Sequence, residues 1–184
     1  MKKLICLLIL ACGLSSFATA QTKIKTNGAY WLVGVLNLSA ETRVSDHITI
    51  NFDAVYSPWE RFFGKPLKIM QLIPEARYYF RESYDGWYAG IYVAYHTFTM
   101  TKWDHWDLGE YQTGCGFAAG AVVGYAMDLS DRWSMDFYVG GGYQQSEYMT
   151  YGPGYTVPWN RSAEWIPYKG GVAFAYKINT GRKK

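Results

Sequence analysis

The residue types that most often carry out catalysis are sparse and scattered in this 184-residue chain. Its three histidines are His47, His96 and His105, and none of them has a serine beside it on the same face of a predicted strand. A hydrolase built on Ser, His and an acid would therefore need a pairing across strands that the sequence does not reveal. The sequence predicts no catalytic residues, and we expect the protein not to be an enzyme.

One segment, residues 102–111, combines acidic, histidine and aromatic side chains. Asp104, His105 and Asp107 are possible metal ligands by type, but no other His or Cys lies near them and their spacing is generic. We therefore predict no metal and no cofactor. Aromatic rings suit contacts with sugars or proteins, and they recur further along the chain. The candidates for such outer-loop contacts are Trp103, His105, Trp106, Tyr151, Tyr155 and Trp159. The alternative is that these rings anchor the protein at an interface or pack a loop cap.

Charged residues of both signs recur on one side of alternating segments. Glu41 and Arg43 are two residues apart, as are Glu75 and Arg77, so each pair shares a face of a strand. The core of a soluble sandwich would bury such charges at a high cost, whereas a narrow barrel lumen pairs them with one another. We predict a structural network that fills the lumen, with a gating or proton-conducting chain as the alternative. Its predicted members are Glu41, Arg43, Asp53, Glu75, Arg77, Asp136 and Lys169.

The segments that position these charges alternate with a period of two residues, as strands with two different faces do. In residues 48–56, Ile48, Ile50 and Phe52 share one face, and polar residues lie between them. Similar alternation covers 36–44, 70–80, 87–96, 116–127, 133–144 and 168–178. Aromatic residues lie near the ends of the apolar faces, as in the girdles at two water–lipid interfaces. This pattern favours a transmembrane antiparallel up-and-down β-barrel over a soluble sandwich.

Seven strands are visible in the pattern, and single-chain bacterial barrels have an even number. We place an eighth strand at 23–31, followed by a tight connection at 32–35. We also expect a bulge at Pro74, because a closed barrel has no edge strand for a proline.

Small residues at Gly116, Gly120 and Gly124 either line a cavity or, as we prefer, make room for large neighbours such as Tyr88 and Tyr92. The predicted short periplasmic connections are 45–46, 81–85 and 129–132, and the predicted long outer loops are 57–67, 97–112 and 145–164.

The first twenty residues have the features of a cleaved signal peptide. Lys2 and Lys3 precede an apolar run, and Ala18-Thr19-Ala20 is a small-residue cleavage site. Lipoprotein processing at Cys12 is the less favoured alternative. Residues 21–184 then form one barrel domain with a short basic C-terminal tail. Cys115 is the only cysteine left in it, so no internal disulfide is available, and its charge, near +1, gives no reason to expect nucleic-acid binding.

The last predicted strand carries a pattern similar to the signal that the barrel-assembly machinery recognises in outer-membrane proteins. Its matching residues are Lys169, Gly171, Phe174 and Tyr176, although eight residues follow the final aromatic. More widely, the stretches 25–27, 56–59, 74–80, 129–136 and 168–176 resemble a family of small Gram-negative outer-membrane β-barrels. That family is catalogued as a domain of unknown function and is often encoded near fimbrial genes. The implied architecture is an eight-stranded barrel like those of OmpA and OmpX.

From these features we expect a protein of the Gram-negative outer membrane, surrounded by lipid and lipopolysaccharide. We expect a structural role in the envelope or a role in contacts with surface filaments or host components through its long loops. A narrow channel for small or apolar solutes is the first alternative, and an enzyme that modifies lipid A is the second.

Overall fold

The computed structural model describes residues 21–102 and 109–178. These residues form a closed ring of eight antiparallel strands, in which each strand pairs with its neighbours in sequence and β1 pairs with β8. The all-β, eight-stranded, up-and-down barrel predicted from the sequence is confirmed. The strands are β1 (Thr22–Asn27), β2 (Leu36–Arg43), β3 (Ile48–Phe62), β4 (Lys65–Tyr79), β5 (Gly86–Met100), β6 (Tyr111–Asp128), β7 (Trp133–Gly152) and β8 (Tyr155–Lys177).

The barrel turns most of its large apolar side chains outward, and its interior holds buried charged and polar residues together with two apolar clusters around Tyr92 and Tyr88. On β3, Phe52 is 47% exposed, whereas its neighbour Asn51 is fully buried, and the same alternation runs through β2 to β7. Since successive side chains of a strand point to opposite faces, the register places Glu41, Asp53, Glu75 and Asp136 in the lumen. The sequence pattern therefore sets which face is turned inward.

The first strand is shorter than predicted, because β1 ends at Asn27 and the chain continues as a short helix, α1 (Gly28–Leu32). The Asn27 side chain accepts a hydrogen bond from the backbone N–H of Ala29 at 2.9 Å, which caps this helix. The same side chain donates to the Tyr138 hydroxyl at 2.8 Å and to the Gly170 carbonyl at 3.1 Å. The prediction that the first strand extends to Trp31 was therefore wrong, because the β-ladder ends at Asn27.

No helix in the described part of the chain is long and apolar enough to cross a membrane.

Pro74 lies in β4 without the expected bulge. The register of β4 with β3 continues through the pair Phe52–Pro74, and the register with β5 is the same before and after it. On the β5 side the paired residues pass directly from Leu72–Tyr95 to Glu75–Tyr92. Because proline has no N–H to donate, the pairing of β4 with β5 is interrupted next to Pro74. No extra residue is inserted in either strand, so there is no bulge.

The two ends of the barrel differ. At one end, here called the turn end, the strands are joined by residues 44–47, 80–85 and 129–132, close to the predicted short connections. At the other, here called the tip end, two of the three predicted long loops are mostly strand. β3 and β4 meet at Phe63-Gly64, and β7 and β8 meet at Pro153-Gly154. The predicted long connections at 57–67 and 145–164 are instead short turns between longer strands, because both segments continue the antiparallel pairing as projecting hairpins.

Candidate functional site

The lumen of the barrel contains buried charged side chains, and at its centre they form a network of ion pairs. Lys25 of β1 contacts Glu41 of β2 at 2.6 Å and Asp136 of β7 at 3.1 Å. Arg77 of β4 contacts the same two carboxylates, at 3.2 Å and 2.7 Å, and also pairs with Glu75 on its own strand. All five side chains are almost completely buried. Two cations and three carboxylates therefore bind four different strands together.

Lys169 of β8 extends this network towards the tip end. It pairs with Asp53 of β3 and with Glu75, and Asp53 also accepts a hydrogen bond from Ser39. Because Glu75 contacts both Arg77 and Lys169, the ion pairs form one continuous chain across the lumen.

Lys23 of β1 is also buried, nearer the turn end, and its partners lie outside this chain of ion pairs. It donates to Ser134 at 2.8 Å and pairs with Asp128 at 3.2 Å. With Lys23 included, the barrel interior holds four buried cations and four buried carboxylates here: Lys23, Lys25, Arg77 and Lys169 against Glu41, Asp53, Glu75 and Asp136. These eight charges balance, which offsets part of the cost of burying them.

Sequence reasoning missed two of these buried cations and placed in the network one residue that lies elsewhere. Lys23 and Lys25 were not predicted, although their spacing of two residues in a β-strand is the signal that could have found them. Arg43 was predicted in the network, but it pairs with Asp46 at 2.5 Å and lies half-buried at the turn end. It is the last residue of β2, so its side chain reaches the turn rather than the lumen centre.

Hydroxyl groups donate further hydrogen bonds to the carboxylates of the network. Glu41 accepts hydrogen bonds from Thr49 at 2.5 Å and from Tyr79 at 2.9 Å, and Asp136 accepts one from Tyr88 at 2.7 Å. The Arg77 guanidinium also lies 4.5 Å from the centre of the Tyr88 ring. The Glu41 and Asp136 carboxylates therefore have several buried partners each.

The glycines of β6 make room for these tyrosines. A Cβ on Gly124 would lie 2.4 Å from the Tyr88 hydroxyl, and one on Gly120 would lie 2.6 Å from the Tyr92 hydroxyl. The small-residue face is therefore filled by its large neighbours, as preferred from the sequence, and it does not line a ligand cavity.

Tyr84 closes the turn end of the lumen. It lies in the connection 80–85 at a φ of 76°, and its side chain is buried. Its hydroxyl donates to the Gln21 carbonyl at 2.7 Å and lies 3.1 Å from the Glu41 carbonyl, and the Lys23 ammonium is 4.5 Å from the centre of its ring. Burial raises the pKa of the Tyr84 hydroxyl, so it remains a donor at neutral pH.

A second polar chain lies in the lumen nearer the tip end. His96 of β5 places Nε2 3.1 Å from the Ser146 hydroxyl and Nδ1 3.0 Å from the Tyr168 hydroxyl. This is the cross-strand pairing that a serine hydrolase would need, and Gly116 between the two strands allows it, because a Cβ there would lie 2.8 Å from His96 Nε2. His96 and Ser146 are only 4% and 3% exposed, however, and the third group is a phenol rather than a carboxylate. The arrangement is that of a satisfied polar core.

The six contact candidates have different surroundings. Tyr151 stacks on Tyr111 with ring centres 5.1 Å apart, Tyr155 hydrogen-bonds Glu110, and Trp159 is 69% exposed on β8. Trp103, His105 and Trp106 lie outside the described residues. Within the described ranges, no group of three His, Cys, Asp or Glu side chains is placed to hold a metal ion.

The residues of the assembly pattern have separate structural roles on β8. Lys169 belongs to the lumen network, Phe174 is exposed on the outer face, and Tyr176 packs edge-on against Trp133 with ring centres 5.0 Å apart. Gly171 has a φ of 144°, and a Cβ there would lie 2.5 Å from the Asn27 side chain. The glycine is therefore required by the contact that ties the start of α1 to β8.

The comparisons with known proteins give a family but no characterised relative. A family model described as "Protein of unknown function (DUF3575)" matches residues 4–178. No curated protein and no solved structure gives a significant match.

Proposed function

The chain belongs to the DUF3575 family, and we propose that this member is a non-enzymatic β-barrel of the Gram-negative outer membrane, with an envelope-structural role or a role in surface contacts made by its tip end. The observation that carries the proposal is the inverted barrel: residues such as Phe52, Ile91 and Phe117 are 47%, 70% and 68% exposed, while eight charged groups are buried inside. Water would not stabilise such a surface, whereas lipid does.

Two levels of exposed aromatic side chains support a membrane position. Towards the turn end, Tyr78, Trp87 and Trp133 are each at least half exposed. Towards the tip end, Tyr56 and Phe117 are similarly exposed. Aromatic girdles of this kind lie at the two interfaces of outer-membrane barrels. The proposal includes export by a cleaved signal peptide of residues 1–20 and insertion by the barrel-assembly machinery, with lipopolysaccharide around the tip end.

The filled lumen supports a role outside the barrel rather than transport through it. A continuous chain of ion pairs and tyrosines crosses the lumen, and Tyr84 closes its turn end. The projecting β3–β4 and β7–β8 hairpins remain for contacts with surface filaments, host components or neighbouring envelope proteins.

Labelling of intact cells tests the proposed location and orientation. Cys115 is first replaced by serine, and single cysteines are introduced at Thr156 on the tip end or at Asp131 on the turn end, both of which are exposed. A membrane-impermeant maleimide is expected to label T156C in intact cells and D131C only after the outer membrane is broken. Equal labelling of both positions in intact cells would contradict the proposed location.

A further inference from the structure

An elongated apolar groove lies on the outer face of the barrel, across β4 to β7. Its volume is about 580 Å³, within the range of roughly 300–1,000 Å³ that small-molecule sites occupy. Two neighbouring rows of outward-facing side chains line it. The row nearer the tip end contains Leu72, Tyr95, Phe117 and Gln145, and the row nearer the turn end contains Pro74, Val93, Ala119 and Tyr143.

The groove lies at an interruption in the wall of the barrel. Pro74 has no N–H to donate, so the pairing of β4 with β5 is broken next to it. The side chains beside this break are small. Ala119 faces outward, and Ala94 and Ala118, which are buried on the inner side of the wall, also line the groove. The missing pairs and the three alanines together leave a hollow between the larger side chains of the two rows.

The groove is long across the strands and narrow along them. It spans three strand spacings, which at about 4.8 Å each give a length of roughly 14 Å. The two rows lie two residues apart on each strand, so they are separated by about 7 Å. An α-helix is about 10–12 Å across with its side chains and is too wide to enter, as is the convex wall of a second barrel. A peptide strand lying on this face would leave its backbone polar groups unpaired in lipid. A single extended hydrocarbon chain fits.

The β7 end of the groove is the end nearest the tip. The row through Tyr143, Ala119 and Pro74 continues around the ring and returns to β7 at Trp133, close to the turn end. The row therefore descends towards the turn end on its way from β7 to β4. Gln145 lies at the higher end, where its amide can bond the ester group beside a lipid headgroup while the chain extends down the groove towards β4.

We propose that this groove binds one acyl chain of a lipid from the membrane leaflet at the tip end. Because the surrounding lipid is itself apolar, the affinity comes from van der Waals contacts with the groove and not from removal of the chain from water. This inference rests on the proposed function for the presence of lipid around the outer face.

The test uses the chain without its predicted signal peptide, folded in mixed micelles of a nonionic detergent and dipalmitoylphosphatidylcholine. Native mass spectrometry, in which the micelle is stripped from the protein in the gas phase, counts the lipids that remain bound. We expect one retained lipid for each barrel. Diphytanoylphosphatidylcholine has the same headgroup but methyl-branched chains. It is expected to be retained at least about tenfold less, because the branches prevent close contact along the groove.

Substitutions on the outer face locate the site. Ala119→Phe and Val93→Trp each fill part of the groove from an exposed position. Each is expected to lower the retained fraction at least about tenfold, because the added ring removes on the order of ten carbon contacts from the chain. The matched control, Ala40→Phe, adds the same ring at an exposed position of β2 outside the groove and is expected to retain the lipid as the unmodified protein does.

Three results would each overturn the proposal: no retained lipid in the unmodified protein, equal retention of the branched lipid, or equal retention in Ala119→Phe and Ala40→Phe. These results are separable from those that bear on the proposed function, because lipid retention in micelles does not depend on the compartment in which the protein resides. Failed labelling at T156C with a retained lipid would reject the location alone, and the converse would reject the groove alone.

Discussion

Arg77 is the residue on which the lumen network depends most. Its guanidinium contacts Glu41, Glu75 and Asp136 and lies over the Tyr88 ring, and it is fully buried. Replacing it leaves buried carboxylates without a cation, which typically costs about 3–5 kcal/mol. We predict that Arg77→Met lowers the free energy of unfolding by this amount, measured by urea titration of the protein folded in lipid vesicles.

The control for that experiment is Arg161→Met. Arg161 also forms an ion pair, with Glu147 at 2.8 Å, but its side chain is 83% exposed. Exposed pairs contribute about 0–1 kcal/mol, so the control is expected to remain near wild type. A similar loss of stability in both variants would contradict the structural role given to the buried network.

Two adjacent glycines of β8 provide a second test at this scale. Gly171 has a φ of 144° and no space for a Cβ beside Asn27, whereas a Cβ on Gly170 would meet its nearest atom at 3.4 Å. We predict that Gly171→Ala lowers the free energy of unfolding by about 1–3 kcal/mol through backbone strain and the clash. Gly170→Ala is expected to change it by less than about 1 kcal/mol. The same urea titration compares the two, and equal effects would contradict the close approach of Asn27 to β8.

Among the elements, the β1–α1 segment is held largely by one side chain. Asn27 caps α1 and donates to Tyr138 and to the Gly170 carbonyl. We predict that Asn27→Ala accelerates amide hydrogen exchange in residues 28–35 much more than in β5 or β6, because the cap and two further side-chain hydrogen bonds are lost. The matched control is Thr156→Ala at the exposed tip, and uniform acceleration throughout the barrel would contradict the local role of Asn27.

The elements also show where the sequence was informative. Period-two alternation was sufficient to find β2 to β8 outside the tip hairpins, because burying one face and exposing the other leaves a direct mark on residue type. It failed at the tip hairpins, where residues such as Thr156, Val157 and Pro158 are all exposed and no face is selected by burial. It also failed for β1, whose end is decided by the contacts of Asn27 with residues more than a hundred positions away.

The sequence predicted most members of the lumen network but not the contacts between them. Alternation placed Glu41, Asp53, Glu75, Arg77, Asp136 and Lys169 on inward faces, but which of them touch depends on the register between strands. Single-sequence patterns do not contain that register. The His96–Ser146 contact likewise joins β5 to β7 across Gly116 and has no local sequence signal.

At the scale of the whole molecule, the arrangement of charges decides between a channel and a closed barrel. An eight-stranded ring is just wide enough for side chains to fill its interior. Here the interior is occupied by ion pairs that join β1, β2, β3, β4, β7 and β8, and Tyr84 adds a second closure at the turn end. We therefore predict that the purified protein gives no conductance steps in planar lipid bilayers.

The variant Tyr84→Ala separates the two closures. Removing the ring opens the turn end but leaves the ion pairs of Arg77 and Lys169 in place, so this variant is also expected to remain silent in the bilayer. Conductance in Tyr84→Ala alone would place the closure at the turn rather than in the network. Steps in the unmodified protein that disappear when it is denatured would instead favour the narrow channel. A silent bilayer with both proteins would argue against transport through the lumen.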